Sequence, residues 1–221
     1  MSDRPRYIVL YLSRLGIGGI QTFVVQLAEI LATYPNIKVA IFCHHPELAD
    51  RAVPAFPKGV ELWTLSENDF LIKVINKTRN FIKKLPLSFD LKEWMIKRYF
   101  LKQLKRHNIY IVHNNIQVGD ANVAMAKAQL GIPYITTLHG AYKEVLTAPL
   151  TAAEEEAFKT VFLRLLHTAD ALVYLSADNL KPFRKILPEY RLEDVLPVVR
   201  IYNGLAAPTL PKPSVGKSSG M

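Results

Sequence analysis

Short apolar runs alternate with helix-like stretches along most of the chain. Seven runs are rich in residues that favour strands: 7–12, 38–43, 60–65, 110–113, 134–138, 171–175 and 198–202. Between them, the apolar spacing predicts helices at 20–33, 70–85, 91–107, 119–130, 151–168 and 177–187. Several runs are apolar at both alternating positions, as strands buried on both faces are. The pattern predicts an α/β fold with a mostly parallel sheet of about seven strands and helices on both faces.

This Rossmann-like arrangement is supported by local signals at helix boundaries. Gly131 follows the 119–130 helix and suits the left-handed conformation that often ends a helix. Thr151 and Glu154 have the spacing of a capping box, which predicts that a helix begins there. After Gly204 the sequence is rich in proline and small polar residues, so we expect one domain over 1–205 and a linker or disordered tail over 206–221.

A glycine-rich loop joins the first predicted strand to the first predicted helix. Gly16, Gly18 and Gly19 lie where parallel sheets collect ligands, because backbone amides at a helix amino terminus bind phosphate. Gln21 stands where the dinucleotide pattern GxGxxG requires its last glycine, so a site for NAD or FAD loses support. A plain tight turn without a ligand is the alternative interpretation.

Polar residues follow three other predicted strands. His113, Asn114 and Asn115 end one, His139 follows another, and Ser176 follows a third. A lone histidine is more often structural than functional. Because the carboxyl ends of parallel strands meet at one edge, the combination with the glycine loop favours a cleft there.

Other motifs are rejected. Gly216 begins a GKS triplet, but Pro211 stands where a phosphate-binding P-loop needs its first glycine. His44 and His45 are adjacent, so on a strand they would point apart, and we expect no metal site and no resident cofactor. Cys43 ends an apolar run and is interpreted as a buried, inert thiol. With no signal peptide and no long apolar span, we expect a cytoplasmic protein.

The positive charge is concentrated in one segment. Between residues 71 and 107 there are eleven lysine and arginine residues and two acidic residues, a net +9 that equals the formal charge of the whole chain. The basic surface is expected to include Lys83, Lys84, Lys97, Arg98, Lys102 and Lys105. The commoner interpretation is two solvated surface helices. The functional alternative is docking on anionic membrane headgroups, with Trp94, Tyr99 and Phe100 at the interface. No nucleic-acid motif accompanies the charge, so a nucleic-acid partner is not expected.

Five segments occur in an order and spacing that resemble a known family. They are GIGGIQTFVVQLAEIL, YIVHNN, IPYITTLHG, ADALVYLSADN and VRIYNGL. Together they resemble the N-terminal domain of the family-four glycosyltransferases, retaining enzymes with two Rossmann-like domains in the GT-B architecture. The resemblance covers about residues 7 to 205.

The resemblance implies roles for matching residues. The glycine loop, with Gly16, Gly18 and Gly19, would lie beside the diphosphate of a nucleotide-sugar donor, and His139 would reach the donor sugar as the catalytic histidine. We expect the acceptor side of the cleft to include Gln21, His113, Asn114, Ser176 and Asn203. The acceptor would be a glycan or a lipid-linked glycan, and the basic helices would touch the inner face of the membrane.

The sequence departs from the family pattern at its end. Members carry a second, donor-binding domain with a pair of glutamates spaced eight apart, and the residues after Gly204 do not supply it. We therefore expect one half of a transferase that is inactive alone, with the other half possible as a separate chain. The alternatives are a non-catalytic membrane-surface scaffold and an unrelated nucleotide-binding protein, which the missing glycine disfavours.

Overall fold

The computed structural model describes residues 5–15, 18–43, 57–64, 91–115, 121–140, 147 and 149–201. The seven strands are Arg6–Leu12 (β1), Ile37–Cys43 (β2), Val60–Trp63 (β3), Ile109–Asn114 (β4), Tyr134–Leu138 (β5), Ala171–Tyr174 (β6) and Val198–Arg200 (β7). Within these ranges the α-helices are Gly19–Leu31 (α1), Leu91–Arg106 (α2), Ala121–Leu130 (α3), Ala152–Thr168 (α4), Lys181–Ile186 (α5) and Leu192–Val195 (α6). The predicted 70–85 helix and the 206–221 tail lie outside the described residues.

The strands form one sheet in the order β3-β2-β1-β4-β5-β6-β7, and every neighbouring pair is parallel. The predicted seven-stranded α/β fold is confirmed. From β1 the chain first moves towards β3 and then returns to β4 on the other side of β1. The carboxyl ends of β1 and β4 therefore flank a topological switch point, where ligands of open α/β sheets bind.

Helices cover both faces of the sheet. Leu10 packs in one buried cluster with Val24 of α1. Its neighbour Tyr11 belongs to a second cluster, with Phe100 of α2 and Phe162 of α4. Successive side chains of a strand point to opposite faces. Helix α1 thus covers one face, and α2, α3 and α4 cover the other.

The local boundary signals form as the sequence predicts. Gly131 ends α3 with φ of 65°, in the left-handed region. The Thr151 hydroxyl accepts from the Glu154 backbone N–H, while the Glu154 carboxylate accepts from the Thr151 backbone N–H. This capping box satisfies amides that α4 would otherwise leave free.

The predicted helix over 177–187 is divided in two. A 3-10 turn spans Ala177–Leu180, and α5 follows it directly. Pro182 lies in the first turn of α5, where its missing N–H costs nothing, whereas inside one continuous helix it would remove a backbone hydrogen bond. The short helix α6 has no counterpart in the sequence prediction.

Helix α2 corrects the expected aromatic surface. Phe100 is fully buried, and Tyr99 is half-buried with its ring centroid 6.2 Å from that of Phe42. Trp94 alone of the three aromatic residues is exposed, because its position opposes the buried Ile96–Phe100–Leu104 stripe. No helix in the described ranges combines the length and apolar character that a membrane crossing requires.

Candidate functional site

The amino end of α1 forms one side of the candidate site. Gly18 is the N-cap residue in an extended conformation, and no side chain of the described residues caps the helix there. The first turn carries no acidic residue, so its partial positive charge is not neutralised locally. A β-carbon added at Gly19 would meet no atom of the described part of the chain within 4 Å, so those residues leave the backbone open to a close ligand.

Gln21 folds back over the same turn. Its side-chain amide occupies the space that a β-carbon at Gly18 would need. The residue that breaks the dinucleotide pattern thus lies at the amino end of α1, beside Gly18.

His113 is held inside the sheet near the end of β4. It is 8% exposed, and its Nε2 atom lies 2.6 Å from the Thr137 hydroxyl oxygen on β5. Burial, together with the charge that His139 would carry, lowers the pKa of His113 from 6.5 to about 4. The imidazole is therefore neutral at physiological pH. Because it is buried, its place is below the carboxyl edge of the sheet, where it supports the residues of that edge.

His139 lies at the carboxyl end of β5, beside α1. Its Nε2 atom is 3.0 Å from the Asn115 side-chain oxygen, and its ring meets Phe23 edge-on with centroids 5.0 Å apart. Phe23 comes one helical turn after Gly19, so this contact brings the histidine next to the uncapped end of α1. Burial lowers the pKa of His139 from 6.5 to about 4, and this imidazole is also neutral.

Asn114 and Ser176 both form hydrogen bonds within the protein. Asn114 has no exposed surface and donates from Nδ2 to the Thr136 hydroxyl at 3.0 Å, so it cannot touch a ligand in this structure. The Ser176 backbone N–H donates to the Asn179 side-chain oxygen at 2.8 Å, within the turn after β6. Ser176 remains partly exposed at the expected edge of the sheet.

Four predicted site residues, Gly16, Lys83, Lys84 and Asn203, lie outside the described residues. The other basic residues, Lys97, Arg98, Lys102 and Lys105, are on α2. Among the residues that the structure does describe, no group of three His, Cys, Asp or Glu side chains is close enough to hold a metal ion.

The structure adds partners that sequence reasoning did not single out. Thr137 and Phe23 are common residue types in a strand and a helix, and the sequence around Phe23 carries no sign of a role. A second polar residue in the apolar run YITTL was the one available signal for Thr137, since a buried hydroxyl requires a hydrogen-bond partner.

These elements define a Rossmann-like α/β domain with a parallel seven-stranded sheet. A model of Glycosyltransferase Family 4 matches residues 17–205, and because this match spans most of the chain, the chain belongs to that family. No curated protein sequence matches it.

Solved structures agree on the fold. Sucrose-phosphate synthase from Thermosynechococcus elongatus matches with a TM-score of 0.52 at 16% identity, over 90% of this chain and 48% of the synthase. HepE from Anabaena, in complex with UDP and glucose, matches with 0.53 at 15% identity, over 90% and 44%. TcCGT1 in complex with UDP matches with 0.54 at 13%, over 97% and 54%. The chain spans about half the length of these structures.

Proposed function

We propose that this chain is the acceptor-side half of a retaining glycosyltransferase, which moves a sugar from a nucleotide-diphosphate donor to a glycan or glycolipid. The observation that carries the proposal is the contact of neutral His139 with Phe23, one turn from Gly19. It brings a hydrogen-bonding ring next to an uncapped helix end. A sugar joined to a diphosphate needs both groups, one for its hydroxyls and one for its charge.

The chemistry would depend on positioning and electrostatics. As the sugar leaves the nucleotide, negative charge grows on the diphosphate, and the backbone amides of the α1 end can stabilise it. A neutral imidazole exchanges hydrogen bonds with sugar hydroxyls without placing a second positive charge beside the sugar, where positive charge develops. No resident metal or cofactor is part of this proposal.

The opposite wall of the cleft would come from a second domain. The matched structures are about twice as long as this chain, which supports a cleft between two halves. The second half can be part of the same polypeptide or a separate chain. We expect residues 1–221 alone to bind donor weakly and to show little or no sugar transfer.

Backbone amide NMR tests the donor site directly. UDP-glucose, GDP-mannose and ADP-glucose would each be titrated into the labelled chain. We expect at least one probe to shift the amides of Gly19, Ile20 and His139, and Gly19→Ala to weaken that binding roughly tenfold, about 1.4 kcal/mol. Gly131→Ala, at the other end of the sheet, is the matched control. Shifts confined to other regions would contradict the site, and robust turnover by the chain alone would contradict its dependence on a second half.

A membrane-docking role is the second candidate, and the exposed face of α2 favours it. Trp94, Arg98, Lys102 and Lys105 are all exposed and follow one another along that face. The Arg98 guanidinium lies 4.9 Å from the Trp94 ring centroid, so an aromatic ring and a basic group meet on this face. Phe100 of α2 contacts Tyr11 near the carboxyl end of β1, whereas His107 contacts Tyr7 near the amino end of that strand. The Trp94 end of α2 therefore lies towards the same edge of the sheet as the cleft. A lipid-linked acceptor could thus reach the cleft from an anionic membrane on the cytoplasmic side.

Co-sedimentation with phosphatidylglycerol vesicles at graded salt tests this role. Neutralising Lys97, Arg98, Lys102 and Lys105 to glutamine should abolish binding, since each basic residue near an anionic surface contributes about 1 kcal/mol. The matched control changes Lys38, Lys58, Arg164 and Arg191 to glutamine, which removes the same charge from other exposed positions. Equal losses in both variants would point to non-specific attraction and would contradict a docking face on α2.

A further inference from the structure

Asn115 is held on three sides at the carboxyl end of β4. Its backbone N–H donates to the Tyr11 carbonyl at 2.9 Å, and its side-chain Nδ2 donates to the His113 carbonyl at 3.0 Å. Its Oδ1 atom lies 3.0 Å from Nε2 of His139. The residue is 1% exposed, so these contacts replace water completely.

The chemistry of these partners fixes the orientation of the Asn115 amide. A backbone carbonyl can only accept a hydrogen bond, so the atom facing the His113 carbonyl must be the amide nitrogen. The oxygen must then face His139. The opposite orientation would place the Asn115 side-chain oxygen against the His113 carbonyl oxygen, and neither of these two acceptors can donate a hydrogen bond.

The amide in turn fixes the protons of His139. An amide oxygen can only accept, so Nε2 of His139 must carry a hydrogen. A neutral imidazole has one ring proton, and burial keeps the pKa of His139 at about 4. Nδ1 therefore carries a lone pair. Within the described ranges, no group donates a hydrogen bond to Nδ1.

We propose that Asn115 is a positioning residue that fixes His139 as the Nε2–H tautomer and thereby presents Nδ1 as an acceptor for a sugar hydroxyl. The edge contact with Phe23 restrains the ring from the α1 side. The identity of the hydroxyl donor rests on the proposed function. The tautomer follows from the contacts of the free protein alone.

Ring-nitrogen NMR of histidine-labelled full chain tests the tautomer. The His139 signals are assigned by their loss in His139→Gln. We expect wild type to show one tautomer, with Nε2 protonated and Nδ1 unprotonated. Asn115→Ala should give a mixture of both tautomers, whereas Asn36→Ala, at an exposed asparagine, should leave the spectrum unchanged. Unchanged His113 signals verify that the sheet edge is intact.

Asn115→Asp provides a second variant should the alanine variant fail to fold. Burial favours the protonated acid, whose O–H can donate to the His113 carbonyl as Nδ2 does in wild type, while its other oxygen accepts from Nε2 of His139. The Nε2–H tautomer should therefore be retained in this variant. A wild-type His139 with Nδ1 protonated, or a mixture in wild type, would overturn the proposal. An Asn115→Ala spectrum identical to wild type would overturn it as well.

Addition of UDP-glucose, GDP-mannose or ADP-glucose tests the role of Asn115 and the proposed donor site separately. We expect a binding probe to shift Nδ1 of wild-type His139 and to bind Asn115→Ala roughly tenfold more weakly. If the Nε2–H tautomer is present and no probe shifts Nδ1, the positioning by Asn115 stands and the proposed donor site fails. If His139 is instead protonated at Nδ1 and a probe still binds at the amino end of α1, the proposed donor site stands and the positioning by Asn115 fails.

Discussion

Nε2 of His113 lies 2.6 Å from the Thr137 hydroxyl oxygen, and both side chains are buried, on neighbouring parallel strands. The partners are 24 residues apart in sequence, and the bond forms because β4 and β5 pair. This hydrogen bond gives the buried His113 ring a polar partner directly beneath the candidate site. The stability of this edge therefore depends on both residues.

Removing the hydroxyl of Thr137 should destabilise the protein. Thr137→Val keeps the shape of the side chain and leaves a buried imidazole nitrogen without its partner, at a cost of about 1–3 kcal/mol. Urea denaturation would measure the loss. Thr160→Val, at an exposed position of α4, is the matched control and should change the free energy of unfolding by less than about 0.5 kcal/mol. Equal effects would show that the buried bond contributes nothing.

The two histidines should make stability fall in mild acid. Burial lowers both pKa values from 6.5 to about 4, so between these values the unfolded chain binds more protons than the native one. Stability is then full above pH 6.5 and decreases as the pH falls towards about 4. The full effect is on the order of 3 kcal/mol per histidine, since one pKa unit corresponds to about 1.4 kcal/mol.

Urea midpoints measured at about pH 7 and about pH 5 would test this dependence. His139→Gln removes one of the two groups and should reduce the slope of stability against pH. A wild-type protein with equal stability at both pH values would contradict the lowered pKa values.

The same glycine-to-alanine change should have opposite consequences at two positions. Gly131 has φ of 65°, where alanine costs about 1–2 kcal/mol, although no atom lies within 4 Å of the added carbon. Gly19 is helical and equally open, so alanine should be neutral or slightly stabilising there. Thermal unfolding of both variants would measure the difference. Gly131→Asn should recover part of the loss, because asparagine tolerates the left-handed region.

Asp170 should matter more than its ion-pair partner. Its carboxylate accepts from the Lys127 ammonium at 2.6 Å and from the Tyr134 backbone N–H at 2.8 Å. Burial alone would raise the pKa of Asp170, but these two partners outweigh it and lower the pKa. Asp170→Ala removes the carboxylate that accepts from the Tyr134 backbone N–H and should cost about 1–3 kcal/mol. Lys127→Ala removes only a partly exposed ion pair and should cost less than about 1 kcal/mol. Chemical denaturation of both variants would rank them, and a larger loss for Lys127→Ala would contradict this order.

The helix boundaries at Thr151 and Gly131 could be predicted from the sequence because their signals lie within a few residues of each boundary. The capping box at Thr151 and Glu154 and the left-handed Gly131 depend on backbone geometry within a few residues. The predicted 177–187 helix was wrong as one element, since the position of Pro182 favours a new helix start over a continuous helix. The membrane-docking alternative was wrong in placing Phe100 at the interface, because Phe100 is buried by contacts with Tyr11 and Phe42 from other elements.

The sequence by itself determined the parallel α/β class, the glycine-rich start of α1 and the family. Periodicity, glycine and capping signals operate over a single element, so they can be read without knowing the neighbours. Only the tertiary structure decided the strand order, the pairing of His139 with Asn115 and that of His113 with Thr137. These contacts join different strands, and their distances depend on sheet register, which no single stretch of the chain specifies.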